Sequence, residues 1–155
     1  MSKRIAAALA ALAVLIVVAS AGFAVGSAAA AADVNIETHQ AVPIGAGTGT
    51  FTMTGDLTDA AGTFQFTSFL FTSGRGSPIT TEHVSETWTG LAGTLTVKKE
   101  CRSVFIGFGA TDDCQALVTG ATRAYSGLHG AGTCTGIIDF VTGIASQTCE
   151  FSLQD

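Results

Sequence analysis

The segment TGATRAYSGLHGAGTCTG, residues 119–136, places glycines at 120, 127, 130, 132 and 136 around the one tyrosine of the chain, Tyr125. The order Gly127-x-x-Gly130-x-Gly132 is the reverse of a dinucleotide-binding G-x-G-x-x-G. A phosphate loop of that kind follows a strand and opens a helix whose N-terminus faces the anion. Here the glycines run instead into Thr133-Cys134-Thr135-Gly136-Ile137-Ile138-Asp139, a stretch of β type. The segment therefore reads as a strand–turn–strand corner, with glycines where backbones crowd and Tyr125 packed over the turn.

The strand leaving this corner predicts its own partner. Residues 140–143, Phe-Val-Thr-Gly, form a four-residue hairpin loop, with Gly143 free to take the left-handed conformation. Asp139 then pairs with Ile144, and counting outward sets Cys134 opposite Cys149 in a non-hydrogen-bonded pair, where side chains approach closest. A Cys134–Cys149 disulfide follows, which leaves Cys101–Cys114 by elimination among the four cysteines. Cys149 shares its face with Phe151 and Leu153, so this bond belongs to the apolar, inward face.

Further out, Gly-Thr-x runs recur at residues 49–51, 62–64, 93–95 and 132–134, at offsets too irregular for a solenoid. Strands are expected at 34–39, 48–56, 62–73, 79–89, 92–101, 114–120, 131–139 and 144–153. The third changes phase between Phe64/Phe66 and Phe69/Phe71, which predicts a bulge near Thr67–Ser68. Eight short strands joined by tight turns in one domain imply a closed antiparallel β-barrel of calycin type, with a β-sandwich as the alternative.

The N-terminus begins MSKRIAAALAALAVLIVVAS: a short basic start at Lys3 and Arg4, then an apolar run and an alanine-rich tail. This is the pattern of a secretory signal peptide over residues 1–32, with an uncleaved membrane anchor as the alternative. The remainder, 33–155, suits one domain. It holds all 12 acidic residues of the chain and five of its seven basic ones, a formal charge of −7. That balance gives no attraction for nucleic acid or an anionic membrane surface. Four cysteines in an exported chain, without a C-x-x-C pair, fit two disulfides better than zinc.

Few residues advertise chemistry. No Walker loop, nucleophile elbow or H-E-x-x-H is present. His39, His83 and His129 are widely separated, and Asp112-Asp113 reads as a solvated turn, so no metal site is expected. In His83-Val84-Ser85-Glu86-Thr87-Trp88-Thr89 the inward positions are Val84, Glu86 and Trp88, which sends a carboxylate into an apolar lumen. Such a group has a raised pKa and suits general acid or base work, unless the strand tilt leaves Glu86 solvated at the rim. Residues 103–109, Ser-Val-Phe-Ile-Gly-Phe-Gly, form an apolar tip between Cys101 and Cys114: a lid, a contact patch, or an extension of the hairpin.

The spacing Gly120-x4-Tyr125-x-Gly127-x2-Gly130-x-Gly132 resembles the G-x-G-x-(Tyr/Phe)-x-G-x-x-G-x-G element of the allene oxide cyclase and dirigent β-barrels. The likeness covers about residues 48–138. It departs at Gly120-Ala121-Thr122-Arg123, where the family has a compact Gly-Thr-Gly, and in the two disulfides. The resemblance implies an eight-stranded barrel with an apolar lumen that binds hydrophobic substrates and steers ring closure or coupling by shape. Glu86 is similar in kind to the lumen glutamate of the cyclases.

Together these readings lead to a secreted, disulfide-stapled barrel binding a small apolar ligand between Phe51, Phe64, Phe66, Trp88 and Leu95, with no cofactor. One competing expectation is a cofactor-free isomerase or cyclase using Glu86. The other is a non-catalytic extracellular structural or contact module working through its threonine face or residues 104–108.

Overall fold

The computed structural model describes residues 33–155; the expected signal peptide over 1–32 lies outside the described residues. Eight antiparallel strands follow one another: β1 (Asp33–Pro43), β2 (Thr48–Gly55), β3 (Asp59–Ser73), β4 (Ile79–Thr89), β5 (Thr94–Ile106), β6 (Gly109–Ala121), β7 (His129–Asp139) and β8 (Ile144–Gln154). Each strand pairs with its sequence neighbour. β1 then pairs with β8 along its whole length, from Asp33↔Gln154 to Pro43↔Ile144. That last pairing closes the barrel and rules out the sandwich, and closure leaves no open sheet edge.

The last hairpin forms in the expected register. Asp139 pairs with Ile144, Gly143 has φ +72°, and Cys134 faces Cys149. The Asp139 carboxylate caps the turn by accepting from the Val141 and Thr142 amides at 2.8 and 3.2 Å. Both disulfides form as derived, Cys101–Cys114 and Cys134–Cys149. The register adds that Cys114 also faces Cys134, so all four cysteines lie in one inward row across β5, β6, β7 and β8. Two covalent staples across adjacent hairpins, each closing a short loop, contribute about 3 kcal/mol apiece in the chain-entropy account.

The phase change in β3 is a bulge, with the β3–β4 register slipping between Phe66 and Ser68. Two more register shifts occur at Phe51/Met53 and at Thr96/Val97. Such insertions bend strands and help a sheet curl shut.

One expectation is met and one corrected. The tip at 103–109 extends the hairpin: β5 continues to Ile106 and β6 begins at Gly109, so only a tight turn remains. Asp112-Asp113 is accordingly strand rather than solvated turn, and alternation from Cys114 sends Asp112 inward.

The Gly-Thr-x runs have a packing reason. Gly and the third residue share the inward face, and the glycines sit under aromatic rings from the facing strand. Gly49 lies opposite Phe64, Gly62 opposite Phe51 and Gly132 opposite Phe151. A Cβ on any of the three would overlap the ring. Missing side chains on one strand thus make room for large ones on the next.

Candidate functional site

The lumen is divided along its axis. At the end that carries the β2–β3, β4–β5 and β6–β7 connections it is packed solid. Trp88 is 1% exposed and lies 5.5 Å from Phe51 and 5.7 Å from Phe151, ring to ring. Leu95, Met53 and Leu153 fill the space beside them, all fully buried. Tyr125, in a single 3-10 turn over Arg123–Tyr125, closes this end from the glycine-rich corner. Its hydroxyl donates to Asp59 at 2.9 Å, and the Ala92 amide reaches the same carboxylate oxygen at 3.2 Å. Burial and the Asp59 carboxylate push the Tyr125 phenol well above its ordinary range.

At the other end the lumen is open. A cavity of about 360 Å³ is bounded by the β1–β2 turn and by inward residues of β3, β4, β5, β7 and β8. Its wall is mainly Val42, Phe64, Phe66, Phe69, Phe71, Val84, Phe105, Ile138 and Phe140. Ligand cavities run from about 300 to 1,000 Å³, so this one is at the small end. Of the five residues expected to line a ligand site, Phe64 and Phe66 do. Phe51, Trp88 and Leu95 do not: they are the plug beneath, packed with Met53, Phe151 and Leu153.

Between plug and cavity lies a polar layer built on Glu86. As expected from the alternation in β4, Glu86 points inward and is 3% exposed. It is not an isolated carboxylate in an apolar lumen, however. The Lys99 ammonium sits 3.0 Å from Oε1 and 2.9 Å from Oε2. Trp88 Nε1–H donates to Oε2 at 2.6 Å and Gln40 Nε2–H at 3.2 Å. Lys99, from β5, is itself 3% exposed and donates further to Gln40 Oε1 and Gln147 Oε1, both at 2.6 Å. It also stands 5.3 Å from the Trp88 ring centroid. Burial pulls the lysine pKa below its usual value, and the Glu86 charge opposes that pull. A buried ion pair is tolerated when further hydrogen bonds satisfy both ends, and four strands contribute to that here.

Toward the mouth comes a second acidic group that the sequence reading missed. Glu82 on β4 and Asp112 on β6 both line the cavity. Ser103 on β5, 1% exposed, lies opposite Asp112 in the register and donates diagonally to Glu82 Oε1 at 2.9 Å. Burial raises the pKa of both carboxyls, with the Ser103 hydroxyl opposing; the Asp112 charge raises Glu82 further. One signal pointed to Glu82: it shares the parity of Val84, Glu86 and Trp88. Lys99 likewise shares the parity of Leu95 and Val97, although Lys98-Lys99-Glu100 reads as a solvated run.

The histidines stay apart. His39 is 3.1 Å from Glu37 and His83 is 3.6 Å from Glu100, both pairs on the outer surface, and His129 bonds the Gly127 carbonyl oxygen. Among the described residues no helix is long and apolar enough to cross a membrane. The barrel, its two disulfides and a half-open lumen are thus established features of the chain, and the disulfides suit an oxidising compartment. Comparison with protein-family models, with curated proteins and with solved structures gave no match.

Proposed function

We propose that this chain is an exported carrier that holds a small, largely apolar ligand in the open half of its lumen. The observation that carries the reading is the cavity of about 360 Å³ with aromatic walls, standing over a packed and hydrogen-bonded floor. Apolar surface exposed inside a concavity is costly to leave in water, and a ligand that covers it gains most of its affinity there. Export follows from the signal-like residues 1–32 and agrees with the disulfides. Kinship with the allene oxide cyclase and dirigent barrels stays part of this proposal, resting on the glycine-rich corner and the lumen.

The isomerase alternative gives the polarising role to Glu86. Its engagement with Lys99, Gln40 and Trp88 favours a structural role for that residue instead, because Oε2 accepts from Trp88 and Gln40 and both oxygens meet the Lys99 ammonium. The test is binding of an uncharged solvatochromic dye such as Nile red. The expected result is one saturable site whose emission shifts to the blue and is lost in Ala145→Phe, which fills the cavity from β8. Absence of saturable binding by the folded wild type sinks the carrier reading. Turnover of a strained cyclic substrate that disappears in Glu86→Gln would favour the isomerase.

A further inference from the structure

The carboxylates of the lumen are not equivalent, and the difference bears on what the cavity takes. Glu86 has its counter-ion, and Lys99 has its ammonium protons placed on Glu86, Gln40 and Gln147. Among the described residues neither Glu82 nor Asp112 has a cation in salt-bridge contact, and the Lys99 charge reaches Asp112 only through space. The groups that face them from each packed element can be named. β5 brings Ser103 and the committed Lys99; β4 brings Glu86; β1 and β8 bring the neutral Gln40 and Gln147; β7 brings Gly136, opposite Asp112; β3 brings only Phe69 and Phe71. The Ser103 hydroxyl is the one donor the two carboxyls share: it donates to Glu82 at 2.9 Å and also favours the Asp112 charge.

Two buried oxygens nearby have no partner at all. One is Asp112 Oδ1. The other is Thr80 Oγ1, on a residue 2% exposed and directly across from Ser103 on the inward face. A buried polar atom without a partner costs free energy, and two half-buried carboxylates side by side add their mutual repulsion. The upper cavity therefore has an unpaired carboxylate oxygen and an excess of negative charge, under a mouth of aromatic rings.

Resting on the carrier reading, we propose that the lumen ligand is a cationic amphiphile. Its protonated amine, or an equivalent N–H cation, donates to Asp112 Oδ1 and Glu82. Its apolar body lies along Phe66, Phe69, Phe71 and Phe105. The ammonium supplies the donors that the acid pair lacks and cancels its charge; the aromatic rings at the mouth favour a cation in transit as well. A fatty carboxylate of the same length meets like charge instead. Because both carboxyls are held up by burial, the preference has a defined pH sign. Protonated, the pair offers an ammonium only neutral dipoles. Ionised, it offers charge, so amine affinity grows as pH rises through the carboxyl range while the amine itself stays protonated.

The experiment is competition for bound Nile red by n-octylamine, n-octanol and n-octanoate near neutral pH. The expected result is that octylamine displaces the dye at a concentration about tenfold or more below that of octanol, the scale of one charge-assisted hydrogen bond. Octanoate is the weakest of the three. In Glu82→Gln/Asp112→Asn the amine advantage over octanol disappears. Should that variant fail to fold, the pH series on the wild type decides, since the amine-to-octanol ratio must rise with pH. Equal competition by amine and alcohol, a ratio flat in pH, or an advantage that survives the double substitution overturns the head-group assignment and leaves the carrier standing. If Nile red and octanol both fail to bind the folded protein, the carrier reading falls and this proposal with it.

Discussion

At one end of the barrel, glycines face aromatic rings, Trp88 packs between Phe51 and Phe151, and Tyr125 is tied to Asp59. At the other end, the same strands turn at tips that expose Ile106 at 63%, Phe108 at 82% and Val141 at 78%. The hydrogen-bonded ladder is continuous between the two ends, so backbone pairing does not distinguish them. Inward side-chain chemistry does. Alternating glycine and aromatic residues let the first end close. The bulge in β3 and the acidic residues on β4 and β6 keep the second end from closing. A barrel of eight strands is just wide enough for side chains to fill, and this one is filled for half its length only.

The Lys99–Glu86 layer is where the two halves meet, and breaking it is the largest expected effect. Lys99→Met leaves the Glu86 carboxylate buried without its cation, which costs about 3–5 kcal/mol. The double substitution Glu86→Gln/Lys99→Met removes both charges and should recover most of that loss. Equilibrium denaturation of the two single variants and the double one measures the coupling. A Lys99→Met variant as stable as wild type would mean that water already reaches the layer from the cavity, and that the partition between packed and open halves is not real.

A smaller effect is expected at the closed end. Tyr125→Phe keeps the ring over Gly93 and removes only the hydroxyl that Asp59 accepts from. Asp59 is 3% exposed and its other oxygen has no partner, so losing this donor costs about 1–3 kcal/mol. The bond joins the start of β3 to the β6–β7 corner, and the Ala92 amide joins the β4–β5 turn to the same carboxylate. Hydrogen exchange in those two connections should therefore quicken in Tyr125→Phe while exchange at the β5–β6 tip does not. Uniform quickening would make the closed end no more of a unit than the rest.

What the sequence disclosed follows the range of each interaction. The β7–β8 hairpin was legible because its register depends on a single loop, with Gly143 at the position that needs positive φ. Glu86 was legible because alternation in one strand settles its face. Asp112 was not, since the sixth strand was expected to start at Cys114, which turned two consecutive aspartates into a turn. The partners of Glu86 were not legible either. Gln40 and Lys99 meet it from β1 and β5, and Gln147 from β8 holds the lysine; the stagger of strands around the barrel brings them together, and no local pattern encodes that stagger. The plug was misplaced for a related reason. Phe51, Trp88 and Leu95 are inward as expected, but which inward residues are packed and which line open space depends on their level along the barrel axis, which the stagger sets.

The smallest expected effect is at the mouth, and it tests the comparison from the other side. Phe108 and Val141 are mostly in solvent at the β5–β6 and β7–β8 tips. Their backbones are joined there, with the Phe140 amide donating to the Phe108 carbonyl at 3.0 Å. Phe108→Ser/Val141→Ser removes apolar surface that is exposed in folded and unfolded chain alike, so the change in stability should stay within about 0.5 kcal/mol. Thermal and chemical unfolding measure this directly. The substitutions leave the inward residues Phe66, Phe69 and Phe105 in place, so dye binding in the lumen should persist. A loss of several kcal/mol would mean that the tips pack against one another as the closed end does, and the open half would then be held by its rim rather than by its polar floor. Unchanged stability with unchanged binding separates the two ends by function: one end carries the fold, and the other is free to carry a ligand.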